Sequence, residues 1–195
     1  EIEGERVLAA SCIRKPTNEM KVNTSSEKAK KSRELVFELL LSDQPARDIS
    51  HDNDSKFWNW IDKVDIEESR FPKKTPCQSD TSHPSMAVNL DACIQCNLCV
   101  RACREVQVND VIGMAYRGEN SKIVFDFDDP MGDSTCVACG ECVQACPTGA
   151  LMPASVVDKD GVGHSHVDKK VDSVCPYCGV GCQIEYNVKD NKIKY

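Results

Sequence analysis

The chain has 195 residues, a net charge of −7 and 6% aromatic residues, and 13 cysteines contribute to its 41% of hydrophobic residues. Such a sequence buries a thin core for its length, which small domains usually reinforce with disulfides or metals. The acidic charge and the lack of a basic stripe argue against a nucleic-acid-binding protein, and no apolar run is long enough to span a membrane.

Residues 1–42 are predicted to form short extended segments followed by a helix. We expect a short strand ending at Cys12 and a second extended piece at 20–22. Thr24 and Glu27 form a capping-box pattern, and the apolar spacing beyond them predicts an amphipathic helix to about Leu41.

Residues 43–86 are polar and form a predicted connecting region. One helix is expected near 54–64, with Asp54 as its N-cap. Trp58 and Trp60 on this helix are interpreted as packing residues, with an electron-relay role as the alternative.

The cysteines are grouped in a way that indicates metal binding. Eleven of the 13 lie in clusters with two or three residues between neighbours, and an odd total fits poorly with a complete disulfide framework. We therefore expect a reducing, cytoplasmic compartment.

Residues 87–155 contain an internal duplication with a shift of 43 positions. The two runs are Cys93, Cys96, Cys99, Cys103 and Cys136, Cys139, Cys142, Cys146. Between them, strand candidates at 111–116 and 122–127 predict a β-hairpin. After it, Asp126, Asp128 and Asp129 form an acidic patch, interpreted as a solvated turn or, alternatively, a docking surface.

The spacing of both runs matches the bacterial two-cluster ferredoxin pattern, in which the fourth cysteine of each run ligates the other cluster. Three thiolates from one loop wrap a cubane, and the fourth points from a short helix toward the second cubane. We predict two [4Fe–4S] clusters, the first ligated by Cys93, Cys96, Cys99 and Cys146 and the second by Cys136, Cys139, Cys142 and Cys103. Structural zinc usually takes two cysteine pairs separated by a longer gap, which these runs do not offer.

Several residues around the runs have a predicted structural role. Pro147 is expected to end the second helix after its ligand, whereas Arg104 stands at the equivalent place of the first. Gly140 and Gly149 are expected either to let the backbone approach a cluster closely or simply to form turns.

A third motif follows a predicted linker at 156–172. Cys175, Cys178 and Cys182 have a different spacing, and a third [4Fe–4S] cluster is predicted, with zinc as the alternative. The fourth ligand would lie beyond the end of the chain, which begins at Glu1 rather than Met and is therefore expected to be a fragment.

The remaining candidate ligands have no partner at ligand spacing. Cys77 is interpreted as an incidental thiol, and Cys12, by itself, as a small buried hydrophobe. The histidines are His51, His83, His164 and His166, of which the last two are expected to be solvated or to hold adventitious metal.

Taken together, these motifs resemble a known family. Residues 87–154, with Asp-Ala-Cys-Ile-Gln-Cys-Asn-Leu-Cys-Val-Arg-Ala-Cys and Ser-Thr-Cys-Val-Ala-Cys-Gly-Glu-Cys-Val-Gln-Ala-Cys-Pro, resemble the alpha subunit of soluble, NAD-dependent, molybdenum- or tungsten-containing formate dehydrogenases. Residues 174–195 resemble the first iron–sulfur motif of the molybdopterin oxidoreductase domain, and residues 1–41 the end of a [2Fe–2S] domain with its following helix.

The resemblance implies further ligands. Cys12 becomes the last of four [2Fe–2S] ligands, with the others upstream of Glu1, and Cys175, Cys178 and Cys182 become ligands of the cluster next to the molybdopterin. Related chains often carry a His-plus-three-Cys cluster before the two-cluster domain. Here the corresponding region, 42–62, has Gln44-Pro45 and no cysteine, so that cluster site is expected to be lost.

The implied fold class is α+β, built from small iron–sulfur modules around a central two-cluster ferredoxin-like domain with a β-hairpin insert. Partial domains are expected at both ends. The predicted order begins with the end of a [2Fe–2S] domain and its helix (1–42) and the connecting region (43–86). The two-cluster domain (87–155), the linker (156–172) and the start of the molybdopterin oxidoreductase [4Fe–4S] domain (173–195) follow.

The implied function is electron conduction from formate oxidation. The catalytic centre would be a molybdenum or tungsten bis(molybdopterin guanine dinucleotide) in a downstream domain, and the partners would be flavin/NAD-binding and [2Fe–2S] subunits. Alternatives are a free-standing polyferredoxin, the same module in another molybdopterin oxidoreductase or an iron hydrogenase, and a zinc-stapled structural module.

Overall fold

The computed structural model describes residues 1–73, 75–157 and 167–194, and its fold is α+β, as predicted. The α-helices are α1 (Glu27–Ser42), α2 (Lys56–Val64), α3 (Leu98–Arg101) and α4 (Glu141–Ala145). The strands are β1 (Met86–Val88), β2 (Ile112–Ala115), β3 (Lys122–Phe125), β4 (Leu151–Pro153), β5 (Lys169–Val174), β6 (Gln183–Lys189) and β7 (Lys192–Ile193). A π-helix spans Ala102–Val106, and 3-10 helices span Arg47–Ile49, Leu90–Ala92, Gly118–Asn120, Met131–Asp133 and Ala154–Val156.

The N-terminal segment contains an antiparallel bridge between Ile2 and Val22, and the Lys28 ammonium donates to the Arg6 carbonyl. The strand predicted to end at Cys12 is wrong, because residues 11–13 form a turn in which the Ile13 N–H donates to the Ala10 carbonyl. Cys12 is exposed on this turn rather than buried.

The helices predicted in the first 64 residues are present, but both N-caps differ from the prediction. Ser26 rather than Thr24 caps α1, because the Asn23 side chain accepts the Ser25 N–H and turns residues 23–25 away from the helix. Ser55 caps α2, with its hydroxyl accepting the Trp58 N–H.

The same kind of local turn displaces Asp54 from the predicted cap of α2. The Asp52 carboxylate accepts the Asp54 N–H, so Asp54 lies in an Asx turn before the helix begins.

Helices α1 and α2 pack through an aromatic cluster. Phe57, Trp58 and Ile61 are buried, and Phe37 of α1 stacks on Trp60 with 6.0 Å between ring centroids. Trp58 is only 5% exposed and its indole N–H donates to the Ser50 hydroxyl, as expected for a packing residue.

The central domain consists of two small antiparallel sheets around one core. β1 pairs with β4, so the first and last segments of this domain close on each other. β2 and β3 form the predicted hairpin, in which Ile112 lies opposite Phe125 and both are buried.

The connecting region packs directly onto the central domain. The Phe57 N–H at the start of α2 donates to the Pro147 carbonyl at 3.0 Å, and buried His51 lies against buried Asn89. Asp52 sits within van der Waals reach of Gly149, which has a φ of +77°.

The C-terminal strands β5, β6 and β7 form a separate antiparallel sheet in that order. β5 begins at Lys169, inside the predicted linker, because Lys169–Val174 pairs over its full length with β6. His164 and His166 lie outside the described residues. Within the described part of the chain, no helix combines the length and apolarity that a bilayer crossing needs.

Replacing Gly149 with Ala is expected to weaken the junction between the connecting region and the central domain. A Cβ atom there would lie 2.6 Å from the Asp52 Cβ, on a backbone that L side chains rarely adopt. We expect the free energy of unfolding to fall by about 3 kcal/mol. Urea denaturation measures the change.

Gly118→Ala is the matched control, because Gly118 also has a positive φ but a Cβ atom added there would meet nothing within 4 Å. The free energy of unfolding should fall by about 1 to 2 kcal/mol, which is the cost of placing an L residue in a left-handed backbone conformation. Equal losses in the two variants would show that the Asp52 contact contributes nothing.

Candidate metal centres

The structure places the four cysteines of the first predicted set around one space. Cys93 and Cys96 lie on the loop before α3, Cys99 lies within α3, and Cys146 follows the last residue of α4. All four line a single cavity, whose other walls include Ile94, Ile123, Leu90, Pro147, Ala150 and Leu151. The fourth cysteine of the second run therefore joins three cysteines of the first.

The Cys99 thiol is buried among the other cysteines of this set. Burial raises its pKa to about 12, and repulsion from Cys93, Cys146 and Cys96 adds to the effect, with a further contribution from Cys142. A buried thiol in such surroundings needs a positive centre to become a thiolate.

In the second set, Cys142 is likewise a buried thiol that lies near three other cysteines. Burial raises the pKa of its thiol to about 12, followed by repulsion from Cys136, Cys139 and Cys103, while a hydrogen bond from the Val143 N–H acts in the opposite direction. Cys103 belongs to the first run in sequence, so the exchange of the fourth cysteine is reciprocal.

The loops that carry the cysteines have the same conformation in both halves. Gln95 and Ala138 are equivalent in the duplication, and both have a positive φ, as do Asn97 and Gly140. The Gln95 N–H points to the Cys93 sulfur and the Ala138 N–H to the Cys136 sulfur, each at 3.4 Å.

The sequence does not predict these N–H contacts to sulfur. Hydrogen bonds from backbone N–H groups to cluster sulfurs tune the reduction potential. Gly140 was singled out as a close-approach candidate, but the donors come from Gln95 and Ala138, where a non-glycine residue gives no signal of its left-handed conformation.

Exposure also repeats between the halves. The second cysteine of each run, Cys96 or Cys139, is exposed, whereas the third, Cys99 or Cys142, is buried. Each set thus has one edge open to solvent and one buried in the core.

The two short helices end differently, as their sequences predict. α4 stops at Ala145 before Pro147, whereas α3 continues into the π-helix Ala102–Val106, where Arg104 occupies the place of the proline. The π-turn carries Cys103 into the core, where its sulfur accepts the Val111 N–H at 3.4 Å.

The third predicted set lies on the loop between β5 and β6. The Cys175 N–H donates to the Cys182 carbonyl at 2.8 Å, which brings the two ends of the motif together. Gly179 and Gly181 both have positive φ. Cys178 and Cys182 are exposed, so this set lies at the surface of the described chain.

The other candidate residues have structural partners. The backbone N–H of exposed Cys77 donates to the Asp91 carboxylate, and the His83 ring accepts the Ser85 N–H. In the acidic patch, Asp128 binds Tyr116 and Lys122, which is the behaviour of a turn.

A single-ion centre receives no support from side-chain positions. Among residues 1–73, 75–157 and 167–194, no three His, Cys, Asp or Glu side chains are arranged to hold one metal ion. Two groups of four thiols, the first of them around an apolar space, suit a larger inorganic group such as a cubane better than zinc.

Comparison with protein families defines the class of the chain. Residues 92–150 match the 4Fe-4S dicluster domain, and residues 168–195 match the molybdopterin oxidoreductase Fe4S4 domain. The chain thus carries a segment similar to a 4Fe-4S dicluster domain, followed by a segment similar to the molybdopterin oxidoreductase Fe4S4 domain.

Two curated proteins are similar to nearly the whole chain. The chain is 28% identical, over 99% of its length, to a putative formate dehydrogenase of Staphylococcus haemolyticus, and 25% identical to one of Staphylococcus aureus strain USA300. It spans 23% of the length of each. The predicted resemblance to formate dehydrogenases is confirmed.

A solved structure shares the fold. One chain of an NAD+-reducing [NiFe]-hydrogenase in the H2-reduced state aligns with a TM-score of 0.71 and 24% identity, over 78% of this chain and 66% of that one.

Pairwise cysteine replacement tests the exchange of ligands between the halves. If Cys96 and Cys146 serve one cluster, the double variant Cys96→Ser/Cys146→Ser should lose about four iron atoms per chain and keep the other cubane. Cys96→Ser/Cys139→Ser should lose about eight, because each replacement removes a different cluster. Iron and acid-labile sulfide analysis with electron paramagnetic resonance (EPR) of the reduced protein measures both.

Cys77→Ser serves as the control for handling and oxidation, since this exposed thiol is in neither set. Loss of both cubanes in the Cys96/Cys146 variant, with Cys77→Ser fully loaded, would contradict the exchanged arrangement.

Proposed function

We propose that this chain conducts electrons in a formate-oxidising complex through iron–sulfur clusters held by its cysteines. Cys93, Cys96, Cys99 and Cys146 would hold the first [4Fe–4S] cluster, and Cys136, Cys139, Cys142 and Cys103 the second. The observation that carries the proposal is the reciprocal crowding of sulfurs around buried Cys99 and Cys142. When bound, such clusters take up and release single electrons.

The residues of the chain would supply what such clusters need. Thiols provide the ligands, the walls formed by Ile94, Ile123 and Leu151 keep water from one side, and the N–H groups of Gln95 and Ala138 stabilise charge on sulfur. Cys175, Cys178 and Cys182 would hold a third [4Fe–4S] cluster, with its fourth ligand beyond residue 195.

Formate is the proposed electron source. The similarity to putative formate dehydrogenases and the match to the molybdopterin oxidoreductase Fe4S4 domain support a molybdenum or tungsten bis(molybdopterin guanine dinucleotide) centre, held outside these 195 residues.

Flavin/NAD-binding and [2Fe–2S] subunits are the proposed partners. The NAD+-reducing complex with which the chain shares its fold supports this assignment. Cys12, exposed on its turn, would be the last ligand of a [2Fe–2S] cluster. The thirteen free cysteines support a reducing, cytoplasmic location.

A second candidate keeps the same electron path in a hydrogen-oxidising complex. The shared fold with the NAD+-reducing hydrogenase chain favours it, whereas the molybdopterin oxidoreductase Fe4S4 match favours formate. Reduction of the clusters in the anaerobic full-length protein by formate or by hydrogen, followed by EPR, separates the two.

Cys99→Ser should remove one cubane and interrupt electron delivery. We expect the full-length complex to lose about four iron atoms and to lose formate-dependent NAD reduction. Cys99 is buried, so Cys96→Ser, at an exposed ligand of the same set, tests the loss without a change in the core.

Cys77→Ser should retain iron and activity. The proposal fails if Cys99→Ser and Cys96→Ser both keep their iron and reduce NAD at the unmodified rate. Formate-dependent reduction of a dye that takes electrons directly from the catalytic centre should persist in both variants, which shows that conduction rather than catalysis has been lost.

A further inference from the structure

The residue immediately before each cysteine run is anchored by a side chain from outside that run. Before Cys93, the carbonyl of Ala92 accepts a hydrogen bond from the Gln44 carboxamide at 3.1 Å. Before Cys136, the equivalent residue Thr135 donates its backbone N–H to the Asp126 carboxylate at 2.6 Å. The two halves use the same position for anchoring, but one anchor is neutral and the other is an anion.

The Gln44 anchor is fully buried. Gln44 is 4% exposed and Ala92 is 0% exposed, so their hydrogen bond is shielded from water. The same peptide group is fixed at its other end, where the Cys93 N–H donates to the Leu90 carbonyl at 3.1 Å. Gln44 itself is held at the end of α1 by a hydrogen bond from its N–H to the Leu41 carbonyl. The loop of the first set is therefore tied to α1 through a neutral amide.

Asp126 accepts two kinds of hydrogen bond from Thr135. Besides the backbone N–H, the Thr135 hydroxyl donates to Asp126 at 3.0 Å. Asp126 follows β3 directly, and its own N–H donates to the Val111 carbonyl at 2.9 Å, so the carboxylate is fixed relative to the hairpin. Lys122 on the same strand pairs with Asp128 instead, at 2.8 Å.

A fixed anion close to a cluster disfavours the added electron. The reduction potential of an iron–sulfur cluster depends on nearby charge and hydrogen bonds. A carboxylate bonded to the residue before a ligand should thus lower the potential of that cluster, whereas an amide in the same place adds no charge.

We propose that Gln44 and Asp126 are positioning residues that set the potentials of the two clusters separately, with Asp126 lowering that of the second. The inference rests on the proposed function, because it requires both sets to hold clusters. It concerns the shift that each anchor causes in the potential of its own cluster, not which of the two potentials is higher, since Asp91 lies two residues before Cys93 in the sequence.

The test exchanges charge at each anchor in the full-length protein. Asp126→Asn keeps an acceptor for Thr135 but removes the charge, so the potential of the second cluster should rise and that of the first should stay. Gln44→Glu places a carboxyl at the same buried position, and in titrations above the raised pKa of this group, where it is ionised, it should lower the potential of the first cluster alone. EPR-monitored redox titration measures both, with signals assigned through Cys96→Ser and Cys139→Ser.

Three variants separate charge from structure. Gln44→Met removes the donor without adding a charge, so it should disturb the first cluster's signal without the downward shift seen in Gln44→Glu. Asp126→Glu keeps the charge and should retain the unmodified potential even if it loosens the loop. Asp129→Asn removes an exposed carboxylate from the same turn and leaves the Asp126 anchor in place, so both potentials should stay unchanged.

The outcomes are distinguishable from failure of the proposed function. Unmodified protein without iron and sulfide would refute cluster binding itself. Loaded protein in which Asp126→Asn shifts neither potential, or shifts both equally, would overturn the inference while leaving the proposed function intact. A rise confined to the second cluster, reversed in Asp126→Glu, supports it.

Discussion

The structure depends on the burial of thiols against one another. Cys99 and Cys142 are both buried, and each is surrounded by three cysteines that would form one set with it. Without metal, these groups stay protonated and occupy space that apolar residues would fill better. The proposed iron–sulfur clusters would remove the repulsion and link loop, helix and core, which would strengthen the central domain of a chain with a thin apolar core.

The duplication imposes symmetry on the ligand loops but not on their surroundings. Equivalent residues in the two halves share left-handed conformations, N–H contacts to sulfur and the order of exposure over the first three cysteines of each run. Outside the loops, the halves diverge. One helix continues as a π-turn and the other stops before a proline, and the residues that precede the runs have different anchors. Divergence around a common ligand geometry allows two similar clusters to differ in potential.

The connecting region belongs to the environment of the first set, although it carries no cysteine ligand of its own. The N-terminus of α2 binds the carbonyl of Pro147, next to Cys146, and Gln44 binds the peptide that leads into Cys93. The region in which the sequence predicts a lost cluster site therefore still contacts the loop and the helix end that carry the first set of cysteines. The aromatic residues of this region pack α1 against α2, the two helices at whose ends these contacts are made.

The sequence by itself determined the α+β class, the two cysteine runs, the hairpin between them and the resemblance to formate dehydrogenases, because ligand spacing and strand alternation are local properties of a chain. Ligand pairing was expected by analogy, and the tertiary structure brings the sulfurs of both halves together. Only the tertiary structure revealed the true caps Ser26 and Ser55, the left-handed Gln95 and Ala138, and the anchors Gln44 and Asp126. These features depend on which of several hydrogen-bond partners, some of them distant in the sequence, lies closest to a group in the folded chain. Residue spacing along the sequence does not contain that information.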